Sequence, residues 1–466
     1  MDSCALSPPG VVRFEPDLVR KYDGFGPRYT SYPTADRFTD AFTRDDYANA
    51  LRARADASTK LSLYVHVPFC NTICFYCACN KVVTKNRTHS ARYVDYVLRE
   101  IAMVASQVAG TRAVTQLHWG GGTPTFLSRE EMAALMGALR EAFEFEADAE
   151  ISIEVDPRTV DEDGIGYLAS LGFNRLSLGI QDFDPAVQKA VNRIQDEAQT
   201  RALMDAARRH GFVSINADLI YGLPKQTVEG FAATLSKVIA AGPDRIAIYS
   251  YAHLPHLFKP QRRIVEDELP APAVKLDILG LAIASLGAAG YVHIGMDHFA
   301  KPGDELAVAQ RVRKLHRNFQ GYSTRPDTDL LAFGVSAIGK VGDAYAQNAK
   351  TLADYYARLD AGELPVMRGV TLDADDVIRR EVIQRIMCDF DVDLAAVGRK
   401  YAIDAARYFA PELASLAPLA ADGLVETSQS ALRVTPSGRL LVRNVAMTFD
   451  RRLREAKAGA RYSRVI

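Results

Sequence analysis

LSLYVHVPFCNTICFYCACN, residues 61–80, joins an apolar, β-branched run to four cysteines. The run LSLYVHV (61–67) is typical of a buried β-strand. The cysteines that follow have the spacing C-x3-C-x2-C, at Cys70, Cys74 and Cys77. Three thiolates on one short loop can bind three irons of a 4Fe–4S cubane and leave the fourth iron open to a small ligand. The spacing therefore predicts one catalytic 4Fe–4S cluster directly after the first strand.

Zinc is the alternative metal for a group of thiolates. A zinc site usually takes a second Cys or His pair from a dozen or more residues away, and the sequence has no second C-x2-C pair. Cys4 and Cys388 stand alone. Cys79 is explained equally well as a small thiol beside the cluster, so we do not count it as a ligand. Cysteines crowded in this way indicate metal or redox chemistry in a reducing compartment, not a disulfide framework.

Five further β-branched runs follow at intervals that leave room for helices. They are TQLHW (115–119), EISIEV (150–155), RLSLGI (175–180), VSINADLIY (213–221) and RIAIYSY (245–251). Between them, residues 91–107 and 200–211 have amphipathic helical spacing. This alternation predicts an α/β fold, a partial (β/α)6 barrel whose ligand groups lie at the carboxyl ends of its parallel strands.

The length and composition indicate a folded enzyme with two or three domains. The chain has 466 residues, of which 48% are hydrophobic and 24% charged. The predicted domains are an N-terminal cap segment (1–60), a catalytic domain (61–369, with its core barrel at about 61–253) and a mostly helical, winged-helix-like C-terminal domain (370–466). In the last, GLVETSQSALRVTPSGRLLVRNVA (423–446) predicts a hairpin with its turn at Pro436-Ser437-Gly438, then a helix.

The charge balance argues against polyanionic partners. Lys and Arg number 56 against 57 Asp and Glu, so the net charge of -1 gives no general attraction for nucleic acid or an anionic membrane. The first residues lack the order of a signal peptide, and no run approaches the ~18 apolar residues of a membrane span. We therefore expect a cytoplasmic protein with no nucleic-acid partner and no stable membrane association.

A glycine run follows the second predicted strand, in HWGGGTPTFL (118–127). Missing Cβ atoms let backbone approach a ligand, although a glycine-rich turn explains the run equally well. Polar groups also follow the later strands, and each taken singly is more often a salt bridge or a cap. They are Glu154, Asp156, Gln181, Asp182, Arg193 and Asp218. As a set, they predict a binding site for a small charged ligand.

The cysteine spacing, the glycine run and the strand order together resemble the radical S-adenosylmethionine (SAM) superfamily. Within it, stretches along nearly the whole chain are similar to the oxygen-independent coproporphyrinogen III oxidases, also called coproporphyrinogen dehydrogenases. They are RYTSYPTA (28–35), YVHVPFCNTICFYCACN (64–80), HWGGGTPTFL (118–127), LGIQDFDPAVQKAVNRIQ (178–195), NADLIYGLP (216–224), RNFQGYSTRPDTDLLAFGVSAIG (317–339) and MCDF (387–390). Heme-chaperone relatives resemble a shorter protein without RYTSYPTA or the C-x-C after the cluster.

This resemblance implies a radical SAM barrel with a cluster on Cys70, Cys74 and Cys77 and two SAM molecules beside it. For the SAM on iron, it implies contacts from Tyr64, Gly121, Glu154 and Ile338, and Tyr64 joins the three cysteines as a catalytic residue. For the second SAM, it implies contacts from Tyr76, Gly122, Thr123, Gln181, Arg193, Asp218 and Ala252. Acids, an amide and an arginine complement the sulfonium, ribose and carboxylate of SAM. Tyr76 departs from the expected phenylalanine, and Lys340 and Ala344 alter the segment after VSAIG.

By the same resemblance, a deoxyadenosyl radical removes a β-hydrogen from a propionate of coproporphyrinogen III. Loss of carbon dioxide and one electron then leaves a vinyl group, and two such rounds give protoporphyrinogen IX for heme biosynthesis. The implied partners are this substrate and an electron-donor protein, and the enzyme is expected to be a monomer. Two alternatives stay open: a radical SAM enzyme acting on another tetrapyrrole, and a heme-trafficking homologue without turnover.

The four carboxylates of coproporphyrinogen require cationic anchors. The candidates are Arg28, Arg37, Lys81, Arg262, Arg263, Arg313, Lys314 and Arg317, although a solvated surface explains each of them singly. Tyr29, Tyr32, Phe319 and Tyr322 are candidates for stacking on the macrocycle, with core packing as the equal alternative.

Overall fold

The computed structural model describes residues 11–54, 58–326, 328–455, 462, 464 and 465. In chain order, its strands are β1 (Leu61–Val67), β2 (Phe69–Cys70), β3 (Val82–Val83), β4 (Ala113–Gly121), β5 (Glu144–Val155), β6 (Arg175–Gln181), β7 (Ser214–Tyr221), β8 (Arg245–Ser250), β9 (Val292–Gly295), β10 (His298–Ala300), β11 (His316–Asn318), β12 (Gly321–Ser323), β13 (Asp329–Phe333), β14 (Ile338–Val341), β15 (Ala344–Asn348), β16 (Val366–Thr371), β17 (Asp391–Asp393), β18 (Val425–Thr427) and β19 (Ala431–Val434).

The α-helices are α1 (Pro16–Tyr22), α2 (Arg44–Arg52), α3 (Thr88–Ala105), α4 (Arg129–Ala142), α5 (Glu162–Ser170), α6 (Pro185–Ala190), α7 (Glu197–Arg209), α8 (Val228–Ala241), α9 (Pro272–Ala288), α10 (Glu305–Arg311), α11 (Leu352–Asp360), α12 (Ala374–Asp389), α13 (Leu394–Tyr401), α14 (Ala405–Tyr408), α15 (Ala410–Ser415), α16 (Ala417–Ala421), α17 (Val442–Thr448) and α18 (Arg451–Glu455). Short 3-10 helices include Pro124–Phe126 and Pro157–Thr159.

The chain divides into two compact units. The barrel unit comprises Phe38–Ala271 and Asp327–Thr371, and the helical unit comprises Met1–Arg37, Pro272–Pro326 and Leu372–Ile466. These units do not coincide with the predicted domains, because the end of the cap segment, with α2, groups with the barrel, and residues 272–326 group with the chain ends. Packing between segments distant in sequence causes this difference, and local patterns do not encode it.

The barrel unit contains the predicted parallel sheet. Its strands follow the order β16-β15-β14-β13-β1-β4-β5-β6-β7-β8. Pairing is parallel from β13 through β1 to β8 and antiparallel from β13 through β16. All six predicted strands, at β1 and β4–β8, are confirmed with helices between them. The strands β13–β16 are additional, since the sequence indicated only an extension after the barrel.

Burial of apolar side chains explains why these segments form a sheet. Leu61, Leu63, Val65 and Val67 of β1 are at most 1% exposed. Trp119 of β4 is fully buried, and its ring packs edge-on against Phe173 at 5.1 Å between centroids. Helices cover such strands on both sides in parallel sheets, so the strands have apolar residues at nearly every position.

The helical unit carries a small antiparallel sheet with the order β17-β19-β18. The predicted C-terminal hairpin is present, but its predicted turn at Pro436-Ser437-Gly438 is wrong. The turn lies between β18 and β19, where Ser428 Oγ accepts from the backbone N–H of Ala431 at 3.0 Å. The segment Pro436–Gly438 instead follows β19 and leads into the helical residues from Arg439, because a Pro-Ser-Gly sequence favours a helix entry as well as a hairpin turn.

The RYTSYPTA segment contributes to the core of the helical unit. Tyr29 and Tyr32 are 2% and 1% exposed and belong to a hydrophobic cluster that includes Val382 and Ile386 of α12. The Tyr29 hydroxyl donates to Asp450 Oδ2 at 2.9 Å. For these two tyrosines, the core-packing alternative is therefore correct. Among the helices of the described residues, none combines the length and apolar character needed to cross a membrane.

A buried carboxylate connects three elements of the barrel unit. Glu100 of α3 is 1% exposed. It accepts from the Gly334 N–H at 2.7 Å, from Asn348 Nδ2 at 2.6 Å and from the Tyr355 hydroxyl at 2.6 Å. These bonds fix the loop between β13 and β14, which leads to Ile338. Burial raises the pKa of Glu100 to about 7, although the three donors act in the opposite direction.

The raised pKa predicts a pH-dependent stability. Between pH 4.5 and about 7 the folded protein keeps the Glu100 proton and the unfolded chain has released it. The contribution of Glu100 to the free energy of unfolding is therefore greatest below pH 4.5. It decreases by about 1.4 kcal/mol per pH unit as the pH rises towards 7. In Glu100→Gln this slope should disappear, measured by denaturant unfolding of both proteins across pH 4.5–8.

Glu229→Gln, at an exposed position of α8, is the matched control and should keep the wild-type slope. An unchanged slope in Glu100→Gln would contradict the assignment of the buried proton.

Candidate active site

A cavity of about 320 Å³ lies at the carboxyl ends of the barrel strands. Most of the predicted site residues line it: Cys70, Cys74, Cys77, Tyr76, Gly121, Gly122, Thr123, Glu154, Gln181, Arg193 and Asp218. Parallel pairing brings these residues together, because neighbouring strands β4 to β7 end at the same edge of the sheet. Among the described residues, Tyr64, Ala252 and Ile338 lie outside this lining, and their SAM contacts stay predictions.

The cysteine loop is closed by a short parallel pair of strands, β2 and β3. Val82 N–H donates to the Pro68 carbonyl at 2.8 Å, and Thr84 N–H donates to the Cys70 carbonyl at 3.0 Å. Inside the loop, Cys77 N–H donates to the Cys74 carbonyl at 3.1 Å. The loop therefore returns to its own start and presents three thiols to one cavity.

Hydrogen-bond donors surround these sulfurs. Thr123 Oγ1 donates to Cys70 Sγ at 3.4 Å. Arg158 Nη2 and Arg193 Nη1 donate to Cys74 Sγ at 3.4 and 3.5 Å. Donors and positive charge stabilise thiolates, which are the form that binds iron.

The thiol pKa values differ around the loop. A hydrogen bond with Cys79, joined by the charge of Lys81, lowers the pKa of Cys77 to about 6. Burial raises the pKa of Cys70 to about 11, although Thr123 acts in the opposite direction. Metal binding deprotonates a thiol in any case, because the metal ion is the largest local charge. Cys79 also lines the cavity, and its role stays open.

The donor set fits a cluster better than a single ion. No three Cys, His, Asp or Glu side chains of the described residues converge as ligands of one metal ion. In a cubane each thiolate binds a different iron, so convergence on one point is not required. The loop carries three thiols, and the sulfurs of Cys70 and Cys74 have hydrogen-bond donors beside them. Such thiols are the ligands that a 4Fe–4S cluster uses.

The glycine run forms a cradle beside the cysteine loop. A Cβ atom on Gly122 would lie 2.6 Å from the Pro68 carbonyl oxygen and 2.8 Å from that of Phe69. Gly121 has a φ of +115°, and a Cβ there would lie 2.5 Å from the His66 ring. Gly122 N–H donates to the Val67 carbonyl at 2.8 Å. Glycine is therefore required here for close packing of the two loops as well as for ligand access.

Two histidines that the sequence did not indicate, His66 and His118, contact Tyr64 and Glu154 at the site. The ring of His118 stacks on Tyr64 at 5.9 Å and 11°, and its Nε2 lies 3.3 Å from Glu154 Oε1. Glu154 Oε2 accepts from the Gly121 N–H at 3.1 Å. Burial acts to raise the pKa of Glu154, but the bonds from His118 and Gly121 outweigh it and lower the pKa. His66 Nδ1 lies 3.0 Å from the Tyr64 hydroxyl, so Tyr64 is fixed from two sides.

Gln181 ends β6 in an unusual backbone conformation. Its φ is +67°, and the register with β7 shifts between Gly179 and Gln181. The Oε1 atom of Gln181 is buried without a hydrogen-bond partner among the described residues. Behind it, Asp182 accepts from Gln226 Nε2 and Thr234 Oγ1, both at 2.6 Å, so this predicted strand-end acid supports the bulge.

Asp218 of β7 is another carboxylate of the cavity. It accepts from Ser177 Oγ and from Asn216 Nδ2, both at 2.9 Å. Burial raises the pKa of Asp218 to about 6, and these two bonds offset part of the effect. A carboxylate with few competing cations nearby remains available to hydroxyl or ammonium donors of a ligand.

Several lining residues were missed by the sequence reasoning. They are Asn71, Thr72, Arg158, Thr159, Ser177 and Gly179. Two patterns point to some of them. Ser177, Gly179 and Gln181 alternate along β6, and Arg158 follows β5 within the same strand-end segment as the predicted Asp156. The histidine contacts depend on neighbouring strands and have no local signature.

Comparison with known proteins agrees with this geometry. The family model for the Radical SAM superfamily matches residues 64–238, and the model for the HemN C-terminal domain matches residues 372–441. The parallel barrel strands and the cysteine loop thus define a radical SAM protein, and radical SAM enzymes use a 4Fe–4S cluster and SAM.

Relatives extend the match to nearly the whole chain. An oxygen-independent coproporphyrinogen III oxidase of Escherichia coli (strain K12) is 51% identical over 96% of this chain and 98% of its own length. That of Pseudomonas aeruginosa is 50% identical over 98% and 99%. A solved structure described as coproporphyrinogen III oxidase (HemN) from Escherichia coli, a radical SAM enzyme, has a TM-score of 0.90 at 50% identity and covers 95% of this chain and 100% of that one. The chain belongs to the oxygen-independent coproporphyrinogen III oxidase family.

The glycine cradle generates a prediction. In Gly122→Ala the new Cβ meets backbone oxygens of the cysteine loop, which must then shift. We expect the free energy of unfolding to fall by about 1–3 kcal/mol, the usual cost of overpacking. Iron bound after anaerobic reconstitution, measured per polypeptide, should also fall.

Gly137→Ala is the matched control, because nothing lies within 4 Å of a Cβ at this position of α4. It should bind iron as the wild type does and be slightly more stable, since alanine favours helix over glycine. Equal iron content in both variants would show that the cradle does not shape the cluster loop.

Proposed function

We propose that this chain catalyses the oxygen-independent oxidative decarboxylation of two propionates of coproporphyrinogen III, giving protoporphyrinogen IX. In each round, the side chain loses one hydrogen atom, carbon dioxide and one electron, and a vinyl group remains. The observation that carries the proposal is one cavity, at the carboxyl ends of parallel strands, whose lining includes the three predicted cluster thiols, three carboxylates, the Gln181 amide and two arginines.

We assign Cys70, Cys74 and Cys77 as the cluster ligands. When bound, the cluster supplies the electron that cleaves SAM and so provides the radical that removes the hydrogen atom. The donors from Thr123, Arg158 and Arg193 favour the thiolate form of two of these ligands.

The remaining lining residues are proposed to bind SAM. Glu154, held by His118 and the Gly121 N–H, accepts from the ammonium group of one SAM. The unpaired Oε1 atom of Gln181, together with Arg193 and Asp218, complements the carboxylate and ribose of a second SAM. Tyr76 walls the same cavity, and the buried position of these groups limits the access of water to the reacting atoms.

The partners follow from this chemistry. A cluster that donates an electron needs an electron-donor protein to reduce it, and we include such a donor in the proposal. Lys81 lines the cavity and is the candidate closest to the chemistry for anchoring a substrate carboxylate. We also propose that the enzyme acts as a monomer. The described cysteines are free thiols, which supports a reducing, cytoplasmic location.

Product analysis tests the proposal. Protein reconstituted without oxygen, then given SAM, a reductant and coproporphyrinogen III, should form 5′-deoxyadenosine, carbon dioxide and protoporphyrinogen IX. Cys74→Ser should abolish all three products, because one iron loses its ligand. Cys388→Ala, at a buried position of α12 outside the cavity, should keep them.

Other results would identify the alternatives. Methylated or ring-opened products would point to action on another tetrapyrrole. Tight heme binding without conversion of coproporphyrinogen would point to heme trafficking.

A further inference from the structure

Arg158 is a charged residue of the cavity that no predicted role explains. It lies in the 3-10 helix Pro157–Thr159, directly after β5. Its Nη2 lies 3.4 Å from Cys74 Sγ, and Arg193 Nη1 lies 3.5 Å from the same sulfur. Cys74 is therefore a thiol with two guanidinium donors, whereas the donor at Cys70 is a neutral hydroxyl.

Asp156 fixes the orientation of Arg158. Arg158 Nε donates to Asp156 Oδ1 at 2.9 Å, and Nη2 donates to Oδ2 at 2.6 Å. The Arg158 N–H also donates to Oδ1 at 3.1 Å, which closes the 3-10 turn on the same carboxylate. The side chains of Arg158 and Asp156 are 19% and 11% exposed. This paired, mostly buried guanidinium has little freedom to leave the sulfur.

Arg158 also borders two cavities. It lines the 320 Å³ cavity of the thiols and a second one of about 710 Å³, bounded by the starts of α4 and α5. Asn71 and Thr159 line both spaces as well, and Arg158 adds a hydrogen-bond donor to Cys74 Sγ.

We propose that Arg158 raises the reduction potential of the cluster through its hydrogen bond to Cys74 Sγ. This inference rests on the proposed ligation of the cluster by Cys74. Reduction adds negative charge to the iron and its thiolates, and a charge-assisted donor stabilises that state more than the oxidised state. Arg158 is a positioning residue in this sense, since it acts on the cluster through the ligand sulfur.

Redox titration of the reconstituted cluster, followed by the electron paramagnetic resonance of its reduced form, tests the proposal. In Arg158→Gln, the ratio of reduced to oxidised cluster at a fixed potential should fall about tenfold, which is a shift of 59 mV for a one-electron couple. Arg158→Lys loses the paired bonds to Asp156 and the sulfur but keeps the positive charge beside the cluster, so its shift should be smaller than that of Arg158→Gln.

Arg129→Gln is the matched control. Arg129 lines the second cavity only and pairs with Asp163 at 2.5 Å, without contact to a thiol. Its loss removes the same charge, and the potential should stay at the wild-type value.

The double variant Asp156→Asn/Arg158→Gln distinguishes an effect of the hydrogen bond on the potential from an effect of the local net charge. It removes the bond to Cys74 but leaves the net charge unchanged, because one acidic and one basic group are lost together. A potential that stays lowered supports the direct bond. A return to the wild-type potential overturns it.

Iron content and thermal unfolding of each variant keep the outcomes distinct. An unchanged potential in an Arg158→Gln protein with a full cluster overturns this inference and leaves the proposed function intact. A wild-type protein that forms no cluster on these cysteines overturns the proposed function itself.

Discussion

Parallel pairing of neighbouring strands is the constraint on which the site depends. Pairing of β1, β4, β5, β6 and β7 in one direction brings every strand end to the same edge, although the residues there are far apart in sequence. Gly122, Glu154, Gln181 and Asp218 reach one cavity because of this pairing, and a backbone irregularity at the end of β6 also sets the position of Gln181. The cysteine loop then needs only to close on itself, through β2 and β3, to place its thiols opposite them.

Much of this arrangement could be predicted because it is encoded locally. The predicted bounds of β1 agree with the structure, since the apolar run stops at Pro68. The start of β5 was missed, because Glu144–Ala149 carries acidic residues without a clear apolar pattern. The contacts of His118 and Arg158 were missed for another reason: their partners, Glu154 and Cys74, lie on other elements. A side chain's choice of partner depends on tertiary packing, which periodicity does not contain.

Positively and negatively charged side chains lie in different parts of the cavity. Two guanidiniums and Lys81 lie on the side of the thiols, whereas Glu154 and Asp218 lie on the strands. This separation suits a ligand such as SAM, which carries an ammonium, a sulfonium and a carboxylate within one small molecule. It also keeps the acids apart from Cys74, where negative charge would disfavour both a thiolate and an added electron. Asp156 is the exception, and its charge is balanced by Arg158 and Arg193.

The site contains an unfavourable backbone conformation and an unpaired polar atom, both at a residue that lines the cavity. A left-handed backbone at a residue other than glycine, as at Gln181, costs about 1–3 kcal/mol, and a buried amide oxygen without a partner adds to that cost. Hydrogen bonds of the next residue, Asp182, offset part of this cost. Asp182 accepts from Gln226 and Thr234, and these bonds hold the strand end in its bulged register. The strain therefore marks an amide oxygen that has no hydrogen-bond partner among the described residues and is available to a ligand.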